Sequence, residues 1–125
     1  PGLLFWLVGG LTLESLHGFK SAFYLEDDLR REMWTLAHSH GTLFSAVSLL
    51  FALLLPRLDV GAGARKLVDR LFASGAILLP LGFLLGGIWH GEADPGPGIL
   101  LVPAGGLLCA VGLARLLGST LKEAE

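Results

Sequence analysis

Residues 33–55 read MWTLAHSHGTLFSAVSLLFALLL, a run that contains no Asp, Glu, Lys or Arg. A helix needs about 20 mostly apolar residues to cross the hydrocarbon core of a bilayer. Pro56 follows this run directly, and proline cannot continue a helix because it lacks the backbone N–H and clashes with the preceding turn. The stretch therefore predicts a transmembrane helix that ends at Leu55.

The composition of the whole chain agrees with a membrane location. Of 125 residues, 53% are hydrophobic and only 16% are charged, with a mean hydropathy of +0.68, whereas soluble domains carry about 25% charged residues. The net charge of −2 offers no basic surface for nucleic acid. We expect an integral membrane protein whose solvent is the bilayer, in a bacterial-type inner (cytoplasmic) membrane.

Three further apolar runs predict three further spans, at roughly 2–22, 67–89 and 98–117. The first lacks the basic start and the small-residue cleavage site of a signal peptide, so we interpret it as a span. The loop GEADPGPG at 91–98 is rich in helix breakers and precedes the last run. The expected fold is an all-α integral membrane protein, one domain over 1–125, built as a four-helix transmembrane bundle with up-down topology.

The distribution of cations predicts how this bundle is oriented. Basic residues concentrate between the second and third runs and near the C-terminus, at Arg57, Arg65, Lys66, Arg70, Arg115 and Lys122. By the positive-inside rule this side faces the cytoplasm, which places both termini there.

Small residues recur at helical spacing in the last two runs. Gly82 and Gly86 form one such pair; Gly106, Ala110 and Ala114 form a stripe, with Gly105 and Gly112 on a neighbouring stripe. Small residues four apart let helix backbones approach closely. This packing can occur within the chain or between protomers, so we expect a homo-oligomer or a subunit of a larger membrane complex.

The four histidines are predicted to share one membrane face. His17 ends the first run, His38 and His40 begin the second, and His90 ends the third, so an up-down bundle brings all four to the external side. Glu14 and Glu92 accompany them. Ionisable groups at membrane depth are costly and normally face the bundle interior with a partner. This coincidence is the main functional signal in the sequence.

Helical geometry separates the neighbouring histidines. Residues two apart on a helix point in nearly opposite directions, whereas residues three apart share a face. Glu14 and His17 therefore project together, and His38 shares a small, polar stripe with Gly41 and Ser45 that we expect to face inward. His40 is expected to face a second contact surface.

The leading hypothesis is a transition-metal or haem site near the external (periplasmic) face. Imidazole binds Zn, Cu and Fe, and carboxylate favours Zn or Fe. The candidate metal ligands are Glu14, His17, His38, His40, His90 and Glu92, and the candidate haem ligands are His17, His38 and His90. One alternative is an accessory or structural subunit in which these residues form a polar network, and another is a proton or small-solute transporter. The sequence leaves open whether the protein is an enzyme.

Overall fold

The computed structural model describes residues 1–57 and 60–123, and these residues contain helices and turns but no strand. Helix α1 covers Gly2–Gly18, the short α2 covers Ala22–Leu25, α3 covers Asp28–Leu54, α4 covers Ala62–Ile88 and α5 covers Leu101–Glu123. Two single 3₁₀ turns, Leu55–Arg57 and Pro97–Leu100, follow α3 and precede α5. The all-helical class expected from the sequence is confirmed.

Three helical segments, Asp28–Arg57, Ala62–Ile88 and Pro97–Thr120, are long and apolar enough to cross a membrane. They contain the second, third and fourth predicted spans almost entirely. Helix α1 has 17 residues, about 25 Å at 1.5 Å per residue, against a hydrocarbon core about 30 Å thick. It stops short of the predicted end at residue 22 because Lys20 adopts a positive φ of 52°, which no helix accommodates.

Helix α3 begins five residues earlier than the apolar run suggests. Its first residue is Asp28, and the Asp27 side chain caps it by accepting a hydrogen bond from the backbone N–H of Arg30 at 2.9 Å. An aspartate at this position satisfies one of the backbone N–H groups that a helix start leaves unpaired. The charged segment before residue 33 therefore belongs to a helix that is long and apolar enough to cross a membrane.

The helices pack in a row rather than a closed ring. Helix α4 has its largest interface with α5 and its next largest with α3, while α1 packs on α3. Within the described parts of the chain, α1 and α5 share at most marginal contact, as do α3 and α5. The four-helix count, the up-down topology and a fourth span through α1 stay predictions.

The α4–α5 interface is built on glycines that leave no room for a side chain. A Cβ on Gly75 would lie 2.5 Å from the Cys109 sulfur, and a Cβ on Gly105 would lie 2.6 Å from the backbone nitrogen of Leu79. Of the two stripes on α5, the one with Gly105, Cys109 and Gly112 packs on α4. Ala110, on the other stripe, is exposed.

Candidate functional site

His38 connects α3 to α1 through a defined hydrogen bond. Its Nδ1 lies 2.9 Å from the backbone carbonyl oxygen of Trp6. A carbonyl oxygen can only accept, so Nδ1 carries the proton and donates, and the other ring nitrogen, Nε2, keeps its lone pair in the neutral imidazole. This bond fixes the tautomer of His38, a role that second-shell carbonyls commonly have toward metal-binding histidines.

The ring of His38 fits against α1 because residue 10 is glycine. A Cβ on Gly10 would lie 2.5 Å from Cε1 of the imidazole. A reciprocal contact lies about one turn away, where a Cβ on Gly41 would come within 2.2 Å of the Trp6 indole. The Trp6 ring of α1 therefore packs on Gly41 of α3, and the His38 ring of α3 packs on Gly10 of α1. These contacts place the backbones of α1 and α3 close together, as small residues do in membrane helix pairs.

An open groove of about 750 Å³ runs along this helix pair. Its polar lining comes from Glu14, His17, Tyr24, Thr35 and His38, and its apolar lining from Leu4, Leu7, Val8, Gly10, Leu11 and Leu13. The structure therefore brings Glu14, His17 and His38 to one surface, as their helical spacing predicts. The surface differs from a bundle interior, because Glu14 and His17 are exposed.

His40 faces a different part of the fold. Its Nδ1 donates to the Leu36 carbonyl one turn earlier at 2.8 Å, and its ring centroid lies 5.0 Å from that of Phe83 on α4 and 6.4 Å from that of Phe44. The sequence correctly assigns His38 and His40 to separate surfaces. The second surface is the α3–α4 contact of the same chain, and His40 does not line the groove.

His90 lies in an ion-pair cluster at the end of α4. Its Nε2 lies 2.9 Å from Oδ2 of Asp27, and its Nδ1 lies 2.8 Å from the carbonyl oxygen of Gly91. Nη2 of Arg30 also lies 3.5 Å from His90 Nε2, so the side chains of Arg30 and His90 converge on the Asp27 carboxylate. His90 therefore joins the loop after α4 to the start of α3, away from the groove.

Arg30 is the arginine of this cluster. It lies 3.2 Å from Oδ2 of Asp27, donates to the carbonyls of Phe23 at 2.8 Å and Gly87 at 3.3 Å, and its guanidinium carbon lies 4.0 Å above the Phe23 ring. One side chain thus ties α2, α3 and α4 together. Arginine suits this position because its planar fork donates in several directions and stacks on aromatic rings.

These contacts lower the pKa of the Asp27 carboxyl from its ordinary value of 3.8. The largest cause is the hydrogen bond from the Arg30 backbone N–H; burial opposes it, and the charges of Arg30 and His90 add to the lowering. The candidate residues identified from the sequence do not include Asp27. Aspartate is a preferred N-cap residue, and Asp27 precedes Leu29, Met33 and Leu36, which recur at helical spacing; this is the helix-start signal that identifies the cap.

Glu92, the last candidate ligand, is exposed in the loop between α4 and the 3₁₀ turn before α5. Across residues 1–57 and 60–123, no group of three or more His, Cys, Asp or Glu side chains is placed to hold a metal ion. The six candidates are therefore divided among the groove, the α3–α4 contact, the Asp27 cluster and an exposed loop.

Comparison with known proteins adds no relative. No family model matches the chain, and no curated protein or solved structure is significantly similar to it.

Proposed function

We propose that this chain is a small membrane protein that binds haem in the α1–α3 groove, with Nε2 of His38 as an axial ligand. The observation that carries the proposal is the hydrogen bond from His38 Nδ1 to the Trp6 carbonyl. Such a bond holds an imidazole in the tautomer whose Nε2 is available to a metal and raises its basicity as a ligand. Within the groove, His17 is the candidate for a second axial ligand.

Haem fits this site better than a bare ion does. A structural or catalytic zinc takes three or four protein ligands, and the described residues offer no cluster of three. Haem iron is held by the porphyrin and needs only one or two axial side chains. The long apolar wall supplied by Leu4, Leu7 and Leu11, with polar groups at the Glu14 end, suits a flat apolar ring with polar substituents on one edge.

The residues of the chain have separate tasks in this proposal. His38 binds the metal through Nε2, and Trp6 orients it. Tyr24 lines the same groove, and its hydroxyl can donate a hydrogen bond to a carboxylate substituent, whereas the Thr35 hydroxyl already donates to the Arg31 carbonyl at 2.7 Å. When bound, haem supplies electron transfer or ligand binding, and the chain contributes the axial nitrogen and the polarity around it.

The same hydrogen bond also favours a second function, an accessory subunit in which His38 is structural. An interhelical hydrogen bond in a membrane contributes about 0.6–2 kcal/mol and fixes helix register. In that case Nε2 has no ligand and the groove contacts lipid or a partner subunit. This candidate predicts co-purification with a larger complex and no cofactor.

The first experiment is an absorption spectrum with elemental analysis on the purified full chain, repeated after titration with haem. We expect iron, and a Soret band that saturates at one haem per chain. A folded preparation that stays colourless and metal-free after titration contradicts the proposal and favours the accessory-subunit function. Proton or solute flux in liposomes that depends on Glu14 would instead support the transport alternative.

A further inference from the structure

Helix α1 is the least firmly held of the long helices. None of its residues is buried, whereas α4 buries eight, and its interface with α3 is smaller than those of α3 with α4 and of α4 with α5. Segments with few buried apolar contacts open at the lowest free energies in a folded protein. We propose that α1 is a lid that swings away from α3, about the turn that follows it, to admit the ligand to His38. This inference rests on the proposed haem site.

In its closed position α1 covers the nitrogen that the ligand needs. A Cβ on Gly10 would lie 2.9 Å from Nε2 of His38 and 2.5 Å from Cε1, so the α1 backbone packs against this edge of the imidazole. A metal ion binds an imidazole nitrogen at about 2.0–2.1 Å, and the porphyrin around it extends well beyond the imidazole. We therefore expect the ring to reach Nε2 only when α1 moves aside.

A single polar contact latches the lid. Across residues 1–57 and 60–123, one hydrogen bond joins α1 to another long helix, that between His38 Nδ1 and the Trp6 carbonyl. The hydroxyls of Thr12 and Ser15 donate to carbonyls of α1 itself. Packing, such as that of the Trp6 ring on Gly41, supplies the other contacts. In the described part of the chain, opening the lid therefore breaks one hydrogen bond and no ion pair.

The hinge of the lid is the turn between α1 and α2. An added Cβ on Gly18 would meet no atom within 4 Å, and the Phe19 residue is 88% exposed, so the surrounding structure does not hold this turn. Lys20 has a φ of 52°, a conformation that residues other than glycine seldom adopt. Beyond the turn, α2 is anchored because Arg30 donates to the Phe23 carbonyl at 2.8 Å. Hinges are short segments of this kind that absorb the backbone change between rigid elements.

A disulfide at the end of α1 farthest from the hinge tests the lid. A Cβ on Gly2 would lie 3.6 Å from the Cβ of Ser45, within the range of about 3.5–4.5 Å that disulfides require, so Gly2→Cys with Ser45→Cys staples α1 to α3. Every sample is the full chain with Cys109→Ala, because Cys109 is its one native cysteine. The probe is diethyl pyrocarbonate, which reacts with the lone pair of an accessible imidazole nitrogen, and mass spectrometry measures the modification of each histidine without haem.

We expect the staple to slow modification of His38 about tenfold and its reduction to restore the rate, because labelling through an opened state follows the population of that state. His17 is the internal control, since it is exposed on α1 in the closed position, and its rate is expected to stay unchanged. The chain with Ser45→Cys alone, treated with the same oxidant, is expected to match the reduced protein. Equal rates at His38 in stapled and reduced protein, or no modification of His38 in either, would overturn the lid.

A second variant opens the lid without cysteine chemistry. Gly41→Ala crowds the Trp6 ring and is expected to speed modification of His38, whereas Gly63→Ala, whose added Cβ meets no atom within 4 Å, is not. Circular dichroism checks helix content in each variant. Haem uptake, followed by the Soret band, separates this inference from the proposed function. Uptake at equal rates in stapled and reduced protein would overturn the lid alone. Absence of uptake in every sample would overturn the haem site, and the modification rates of His38 would still decide the lid.

Discussion

The Nδ1 atom of His38 lies 2.9 Å from the carbonyl oxygen of Trp6, and the Trp6 ring in turn occupies the space above Gly41 on the helix of His38. The two aromatic residues therefore hold α1 and α3 together reciprocally. Every property proposed for the groove depends on this contact, because it fixes both the tautomer of His38 and the position of the α1 wall.

A methyl group at residue 41 is expected to separate the helices. In Gly41→Ala the new Cβ would lie about 2 Å from the Trp6 ring, and such overpacking costs about 1–3 kcal/mol. Thermal unfolding in detergent, followed by circular dichroism, measures the loss. Gly63→Ala is the control, since no atom lies within 4 Å of its added Cβ and alanine favours helix by up to about 1 kcal/mol. Equal stability of the two variants would refute the close contact.

Adjacent glycines on α5 are expected to respond oppositely to the same substitution. Gly105→Ala forces a Cβ to 2.6 Å from the backbone of Leu79, whereas Gly106→Ala meets only the Leu79 side chain at 3.8 Å. We expect a loss of about 1–3 kcal/mol for the first and a change between zero and a gain of about 1 kcal/mol for the second. The free energy of unfolding of each variant measures the difference, and the reverse order would show that the other stripe packs on α4.

Acid is expected to weaken the Asp27 cluster. Because the folded state lowers the pKa of Asp27 below 3.8, the stabilisation is fully present above that value and is lost as the pH falls through the folded pKa. Asp27→Asn keeps a good helix cap but removes the charge shared by Arg30 and His90. We expect this variant to be less stable than wild type at pH 6 and to converge with it as the pH falls through the lowered folded-state pKa of Asp27.

Unfolding temperatures between pH 2 and pH 7 check this expectation. The control is Asp28→Asn, because the Asp28 side chain is 88% exposed and pairs only with Arg31, and exposed ion pairs contribute little. A constant difference between Asp27→Asn and wild type across the whole pH range would show that the charge of Asp27 has no part in stability.

The length of the apolar runs and the helix breakers between them allowed α3, α4 and α5 to be predicted from the sequence. Helical spacing also placed His38 and His40 on different surfaces. The choice between the two glycine stripes of α5 could not be predicted. Gly105 and Gly106 are consecutive, which corresponds to a rotation of about 100° around the helix, and both stripes consist of small residues. The structure distinguishes the two stripes because a Cβ on Gly105 would meet the backbone of Leu79, whereas a Cβ on Gly106 would meet only the end of the Leu79 side chain.

The contact between His90 and Asp27 also could not be predicted from the sequence. The order of the helices along the chain predicts that the end of α4 lies near the start of α3, as observed. It does not identify which acidic residue contacts the His90 imidazole there. The acidic residue is Asp27, because the carboxylate that caps α3 by accepting from the Arg30 backbone N–H also lies beside Nε2 of His90. His90, one of the candidate metal ligands, thus contacts the carboxylate that caps α3.

The haem proposal is tested most directly by comparing His38→Asn with His40→Asn. Asparagine places its amide nitrogen near the position of imidazole Nδ1, so His38→Asn keeps a donor for the Trp6 carbonyl and removes only Nε2. His40→Asn removes an imidazole outside the groove. The measurement is the Soret absorbance per chain after haem titration, with helix content as a check on folding. We predict a band in wild type and His40→Asn and its loss in folded His38→Asn; an undiminished band in His38→Asn would contradict the assignment of His38 as axial ligand.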